Sequence, residues 1–269
     1  MATFVIGFRM FTQSIDTHIM IQEENGFKYI EEGEGEPLIL LHGLFGALSN
    51  FHEVIDYFRG QFKVVFPFLP LYDLSLRKST VSGMVEYLSN LIDHKKYNNF
   101  HLLGNSLGGH IAQVYALDNI EKVKSITLTG SSGLFENSLG AGYPNKENYE
   151  YVKEKTAYTF YNPDTATKEL VDEVYETVNN RSKAIRIITM AKSALRHNLR
   201  NELQKLTMPV KLIWGQNDTI TPYFVGEEFE KLLPNANLSG IDKCGHAAMM
   251  EKPLEFNAIL EQFLTSLKK

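Results

Sequence analysis

The chain has 269 residues, 43% of them hydrophobic and 22% charged. That suffices for one substantial core, or one core with a sizeable insertion, and gives no sign of disorder. A formal net charge of −5 sets aside a general nucleic-acid binder, and the lone cysteine, Cys244, excludes an internal disulfide framework and fits a reducing compartment.

The opening MATFVIGFRMFT is apolar for a few residues and then carries Arg9. It has neither a basic n-region nor a long h-region, so no signal peptide is expected. No stretch approaches the roughly 18 apolar residues of a membrane span. The expectation is a cytoplasmic protein whose partner is a small-molecule substrate, with no nucleic acid and no membrane. The oligomeric state is left open.

Thr17 to Ile21 reads as a strand, Glu24-Asn25-Gly26 as a turn and FKYIEEG as a returning strand, a hairpin signature. Short continuous apolar runs follow at Pro37 to Leu41, Lys63 to Phe68, His101 to Leu103, Val123 to Leu128 and Val210 to Trp214, a pattern that parallel sheets favour. Between them, Val81, Met84, Val85, Leu88, Leu91 and Ile92 recur at helical period. Pro253 opens a last helix with Phe256, Ile259, Leu260, Phe263, Leu264 and Leu267 on one face. This alternation predicts an α/β fold, a doubly wound and mostly parallel sheet with an antiparallel hairpin at its start. The region from about Ser131 to Asn201 breaks the rhythm. It lacks strand runs, is rich in Tyr, Lys, Glu and Arg, and reads as a mostly helical insertion. The expected division is a core of residues 1–133 and 202–269 with a helical cap of residues 134–201.

Within FHLLGNSLGGHIAQVYAL, Gly104-Asn105-Ser106-Leu107-Gly108 fits G-x-S-x-G. A strand-like run precedes it and a helical run follows, so Ser106 falls at the apex of a strand–turn–helix. Such an elbow projects the hydroxyl from the sheet edge. A serine hydroxyl is a weak nucleophile without a base, and the base needs an acid to orient it. For a serine so placed the chain order is acid, then histidine. In VKLIWGQNDTITP, Asp218 sits just past a strand, where sites of parallel sheets form; in IDKCGHAAMMEKP, His246 lies in a loop before the last helix. Asp242 is a second candidate acid, close to His246 in sequence.

Taken together, LHGLFG, GNSLGG, WGQNDTITP and CGHAAMMEKP resemble the α/β-hydrolase superfamily, especially its capped esterase-like and peptidase-like members. The resemblance covers nearly the whole chain except the insertion and implies the α/β-hydrolase fold with Ser106, Asp218 and His246 as catalytic triad. The backbone N–H groups of Leu44 and Leu107 would form the oxyanion hole. By the same resemblance His42 is a structural brace of its loop rather than a proton carrier. The family usually carries Asp-x-Pro-Gly-x-Gly after the fourth strand. Here FPFLPLYDLS puts Phe68 at the aspartate position and Leu71 and Asp73 at the glycines, so the chain must turn differently there.

The insertion holds Tyr143, Tyr149, Tyr151, Tyr158, Phe160 and Tyr161, which either line an apolar pocket or form the cap's own small core. Phe45, Tyr143, Tyr158 and Met249 are the candidate pocket residues. Arg181, Lys183, Arg186, Lys192, Arg196 and Arg200, with no acidic residue among them, either attract an anionic substrate or form a solvated helix face. Cys244 has no glycine-flanked elbow and reads as a packed thiol. A serine at position 106 argues against the relatives with an aspartate nucleophile, the haloalkane dehalogenases and epoxide hydrolases. C–C bond hydrolases of this resemblance often show aromatic residues after the histidine, where this chain has Ala247-Ala248-Met249-Met250. The first expectation is a carboxylic-ester hydrolase needing no metal and no organic cofactor. The alternatives are a C–C bond hydrolase or aminopeptidase, and a ligand-binding receptor on a hydrolase scaffold.

Overall fold

The computed structural model describes residues 20–45, 51–135 and 144–268. Eight strands make one sheet: β1 (Ile21–Glu24), β2 (Phe27–Glu32), β3 (Pro37–Leu41), β4 (Lys63–Pro67), β5 (Phe100–Asn105), β6 (Val123–Thr129), β7 (Val210–Gly215) and β8 (Ala236–Ile241). Their order is β1-β2-β4-β3-β5-β6-β7-β8. The first two strands run antiparallel, β2 meets β4 antiparallel, and every pair from β4 to β8 is parallel. The sheet is thus mostly parallel, with a hairpin at one edge. At the hairpin tip Asn25 and Gly26 take φ of 50° and 83°, the left-handed pair that a tight hairpin turn requires. The expected first strand is corrected: β1 begins at Ile21, Met20 precedes it, and residues 17–19 lie outside the described residues.

The central strands are apolar on both faces because helices cover both. Ile39, Leu41, Leu102 and Leu128 join one core cluster with α2 (Val81–Lys95), α3 (Leu107–Asp118) and α7 (Tyr223–Leu232). Leu38, Leu40, Leu103 and Ile213 join the other with α1 (His52–Phe58) and α9 (Pro253–Ser266). A four-residue helix, α8 (Ala248–Glu251), precedes α9. Trp214, the chain's single tryptophan, is fully buried near the end of β7, its indole N–H donating to the Thr221 carbonyl at 2.7 Å.

Between β6 and β7 run α4 (Tyr149–Ala157), α5 (Lys168–Asn179) and α6 (Arg181–Arg196). Asparagine or threonine side chains cap all three N-termini: Asn148, Thr167 and Asn180 accept from backbone N–H groups two or three residues on. Helices α4 and α5 add Val152, Leu170 and Val174 to the second cluster, while α6 adds Met190 and Ala194 to the first. The end of α6 is tied to α3, where the parallel rings of His197 and His110 stack 5.2 Å apart with 3.2 Å between Nδ1 and Nε2. Among the described residues no helix is long and apolar enough to cross a membrane.

Candidate active site

Ser106 joins β5 to α3 with φ 54° and ψ −120°, a conformation that costs a non-glycine residue about 1–3 kcal/mol and persists only where the surroundings impose it. They do so here. A Cβ on Gly104 would lie 2.5 Å from the Gly108 carbonyl carbon, and one on Gly108 would lie 2.0 Å from the Leu41 carbonyl oxygen. Only glycines allow the first turn of α3 to press against both β5 and β3. The Ser106 N–H donates to the Thr129 carbonyl at 3.1 Å, and its carbonyl accepts from Gly109, His110 and Ser132. Ser106 is half-buried among buried neighbours.

Asp218 and His246 arrive from the ends of β7 and β8. The His246 Nδ1–H donates to Asp218 Oδ2 at 2.9 Å, with both side chains buried. This fixes the tautomer that leaves Nε2 as the basic nitrogen of the neutral ring. The carboxylate is held from below. Asp218 Oδ1 accepts the backbone N–H groups of Ile220 and Thr221 at 2.8 and 2.9 Å, and the Thr221 hydroxyl donates to Oδ2 at 2.8 Å. Asp242 is exposed and Asp218 takes the imidazole N–H. Cys244 is fully buried and its thiol is pushed up to about 12 by burial, so it packs as a neutral group.

Asn105 and Gly130 bring the two halves together. The Asn105 side-chain amide donates to the Thr129 carbonyl at 3.1 Å and to the His246 carbonyl at 3.3 Å. A Cβ on Gly130 would meet His246 Nδ1 at 2.8 Å, so the imidazole rests on the end of β6, one residue beyond Ser106's own partner Thr129. The His42–Leu44 loop after β3 closes the other side, where a Cβ on Gly43 would lie 3.2 Å from Ser106 Cβ. Leu107 opens α3, so its N–H belongs to the first helical turn, which has no intrahelical acceptor.

His42 is a brace. Its Nε2 accepts the Leu69 N–H at 3.1 Å and its Nδ1 donates to the Gly43 carbonyl at 2.8 Å. Burial lowers its pKa to about 4 and keeps the ring neutral. The departure from the Asp-x-Pro-Gly-x-Gly pattern is explained here. Leu71, at a position where the family has glycine, is buried in the core beside Leu69, and Tyr72 donates its hydroxyl to the Leu44 carbonyl at 3.4 Å. The loop supports the Leu44 turn with side chains rather than with a glycine turn.

The insertion crosses the His246 loop. His246 N–H donates to the Thr159 carbonyl at 2.9 Å, and a Cβ on Gly245 would come within 2.6 Å of that oxygen and 2.8 Å of Phe160 Cα. Glu251 clamps both strands of this crossing, accepting from Gly245 N–H at 2.6 Å and from Tyr161 and Asn162 N–H groups. Thr221, Asn105 and Glu251 were not singled out by sequence reasoning. Asp-x-x-Thr at 218–221 is a turn signal that could have pointed to Thr221.

Of the candidate pocket residues, Phe45 packs against the second core cluster and Met249 is fully buried in it. Tyr143 lies outside the described residues. Tyr158 is 57% exposed, and its carbonyl accepts from the Thr219 hydroxyl at 2.9 Å. Arg186 Nε donates to the Leu74 carbonyl at 2.8 Å and ties α6 to the loop after β4. Arg200 pairs with Glu228 at 2.7 Å. Among the described residues no three His, Cys, Asp or Glu side chains gather into a set that could hold a metal ion.

The sequence matches the family model described as "alpha/beta hydrolase fold" over residues 36–169 and 165–253. The chain belongs to the α/β-hydrolase family. Within it, the chain is similar to a solved α/β hydrolase from a metagenome of sediments of the Mar Chica lagoon, Morocco, at 44% identity, covering 93% of this chain and 99% of that one with a TM-score of 0.77. It is 27% identical to a Pseudomonas sp. 2-hydroxy-6-oxononadienedioate/2-hydroxy-6-oxononatrienedioate hydrolase, over 90% of this chain and 93% of that relative. It is 24% identical to the monoacylglycerol lipase ABHD6 of Bos taurus, over 87% of this chain and 77% of that relative.

Proposed function

We propose that this α/β hydrolase cleaves a small carboxylic ester through an acyl-enzyme intermediate, with Ser106, His246 and Asp218 as nucleophile, base and orienting acid. The observation that carries the reading is the buried 2.9 Å His246–Asp218 hydrogen bond at the same sheet end as the strained Ser106 elbow. In the reaction His246 Nε2 takes the Ser106 proton as Oγ attacks the ester carbonyl. The N–H groups of Leu44 and Leu107 hold the resulting oxyanion. His246 returns the proton to the departing alcohol. Water, deprotonated by the same nitrogen, then attacks the acyl carbonyl and releases the acid and Ser106. Asp218 keeps the imidazole in one tautomer and stabilises its charged form. Helices α4–α6 act as a cap that selects the substrate.

The bovine relative, named a lipase, supports an ester substrate. The Pseudomonas relative favours a second reading, hydrolysis of a C–C bond. Against that reading, Ala247 follows the histidine where an aromatic residue is expected for such chemistry.

A fluorophosphonate probe with mass-spectrometric mapping tests the nucleophile. Labelling at Ser106 is expected, absent in Ser106→Ala and weakened in His246→Ala. Asp218→Asn should lower kcat by about 10⁴-fold, because a wrong tautomer disables the base. A panel of short esters, aminoacyl amides and dienedioate C–C substrates then assigns the bond. A folded protein that is not labelled, or that is labelled without turnover of any of these, would overturn the hydrolase proposal in favour of a ligand-binding receptor.

A further inference from the structure

Helix α6 presents two faces of different kinds. Its inner face, with Ile187, Met190 and Ala194, is buried against the core. Its outer face carries Arg181, Ile185, Ile188, Lys192 and Leu195 at successive three- and four-residue steps, with Arg196 four residues beyond Lys192, spacings that keep side chains on one side of a helix. All six are exposed, and the three large apolar residues are 40%, 46% and 46% accessible. Isolated exposed apolar side chains are ordinary, but three in register along one helix are not. The stripe runs for about 22 Å at 1.5 Å per residue.

Charge narrows what could cover it. The helix has five basic residues and no acidic one, in a chain of net charge −5. Lys183 and Arg186 are occupied with the loop after β4, one above the Tyr72 ring and the other on the Leu74 carbonyl. Arg181, Lys192 and Arg196, the cations of the outer face, form no ion pair with the described residues. A second copy docked face to face would bring like charges together. Apolar side chains interleaved with cations whose long stems lift their charge match the boundary between acyl chains and acidic headgroups. Beside the helix, the loop held by Arg186 adds exposed Leu76 and Arg77.

We infer that the outer face of α6 docks the protein peripherally on an anionic lipid surface. This stands apart from the ester-hydrolase reading, since it requires no turnover. It replaces the expectation that no membrane is a partner, which rested on the lack of a spanning stretch and does not bear on peripheral binding.

Co-sedimentation of the full chain with vesicles tests it, using phosphatidylcholine alone and phosphatidylcholine with phosphatidylserine in equal parts. Binding to the acidic vesicles is expected, falling as salt screens the charges. A Lys192→Gln/Arg196→Gln variant should bind about 30-fold more weakly, at about fivefold per charge. Ile188→Ser/Leu195→Ser should bind at least about tenfold more weakly. Thermal melts of both variants should match the parent, since all four side chains are exposed. No binding to acidic vesicles would overturn the inference. So would binding that both variants retain, which would place the contact elsewhere in the chain, or equal salt-independent binding to both vesicle types. Capture by immobilised polyglutamate without vesicle binding would overturn it in favour of an acidic polypeptide partner.

Discussion

Thr221 donates its hydroxyl to Asp218 Oδ2, the same oxygen that receives the imidazole N–H of His246. A hydrogen bond to a charged group contributes about 1.5–3 kcal/mol. Thr221→Val keeps the shape and deletes that donor, so the carboxylate should hold the ring less firmly. The expected result is a roughly tenfold fall in kcat with KM unchanged; steady-state kinetics on a soluble ester decides, and an unaltered kcat would leave Thr221 as a loop former only. His42 acts on stability instead. Its pKa falls from an ordinary 6.5 to about 4 in the folded protein. Between those values the unfolded chain binds a proton that the folded one does not. Its contribution is therefore full above pH 6.5 and is lost as pH falls towards 4, by up to about 3 kcal/mol. His110, pushed down to about 3 by burial and the neighbouring His197, adds to the same trend. Urea midpoints of His42→Gln should drop less between pH 7 and pH 4.5 than those of the parent; parallel curves would show that His42 does not carry this dependence.

At the scale of elements, the segment 158–162 and the His246 loop touch through backbone alone at Gly245. Gly245→Ala forces a methyl group against the Thr159 carbonyl and the Phe160 backbone. The expected outcome is a loosened crossing, seen as faster proteolysis within the insertion together with loss of activity, while the β-sheet circular dichroism stays. Legibility differs among these elements for physical reasons. Strands β3, β5 and β7 were readable because helices bury both their faces and make them continuously apolar. Strand β8, ANLSGI, is an edge strand that is mostly half-buried, so its sequence carries no such run. The insertion was readable as helical, but not as three helices of given length, because its narrow apolar stripes are interrupted by Tyr, Lys and Glu. The places of Ser106, Asp218 and His246 at strand ends were legible because each motif spans few residues. Asn105 and Glu251 were not, because their partners lie 141 and about 90 positions away in the chain.

Seen whole, the molecule is a sheet clamped between two apolar layers, and the insertion reaches into both of them. Neither layer can loosen without exposing the strands that the other covers. Leu40→Ala on one face and Leu102→Ala on the other should each cost about 2–5 kcal/mol, the range for a buried leucine deletion. Each should lower one common calorimetric transition rather than split it. Two separated transitions in either variant would show that the layers melt independently. The same sheet explains why the site forms where it does. Parallel strands send β3, β5, β7 and β8 out at one end, and the loops that leave them carry His42 to Leu44, Ser106, Asp218 and His246.

The single tryptophan gives this arrangement an optical signature. Trp214 lies one hydrogen bond from Thr221, whose hydroxyl is one further hydrogen bond from Asp218. No other indole competes with it. Ultraviolet emission selectively excited from this ring therefore reports the acid loop itself. A ligand that shifts Asp218, or a solvent that melts the loop before the rest, will announce itself in the colour and anisotropy of that light, without any label.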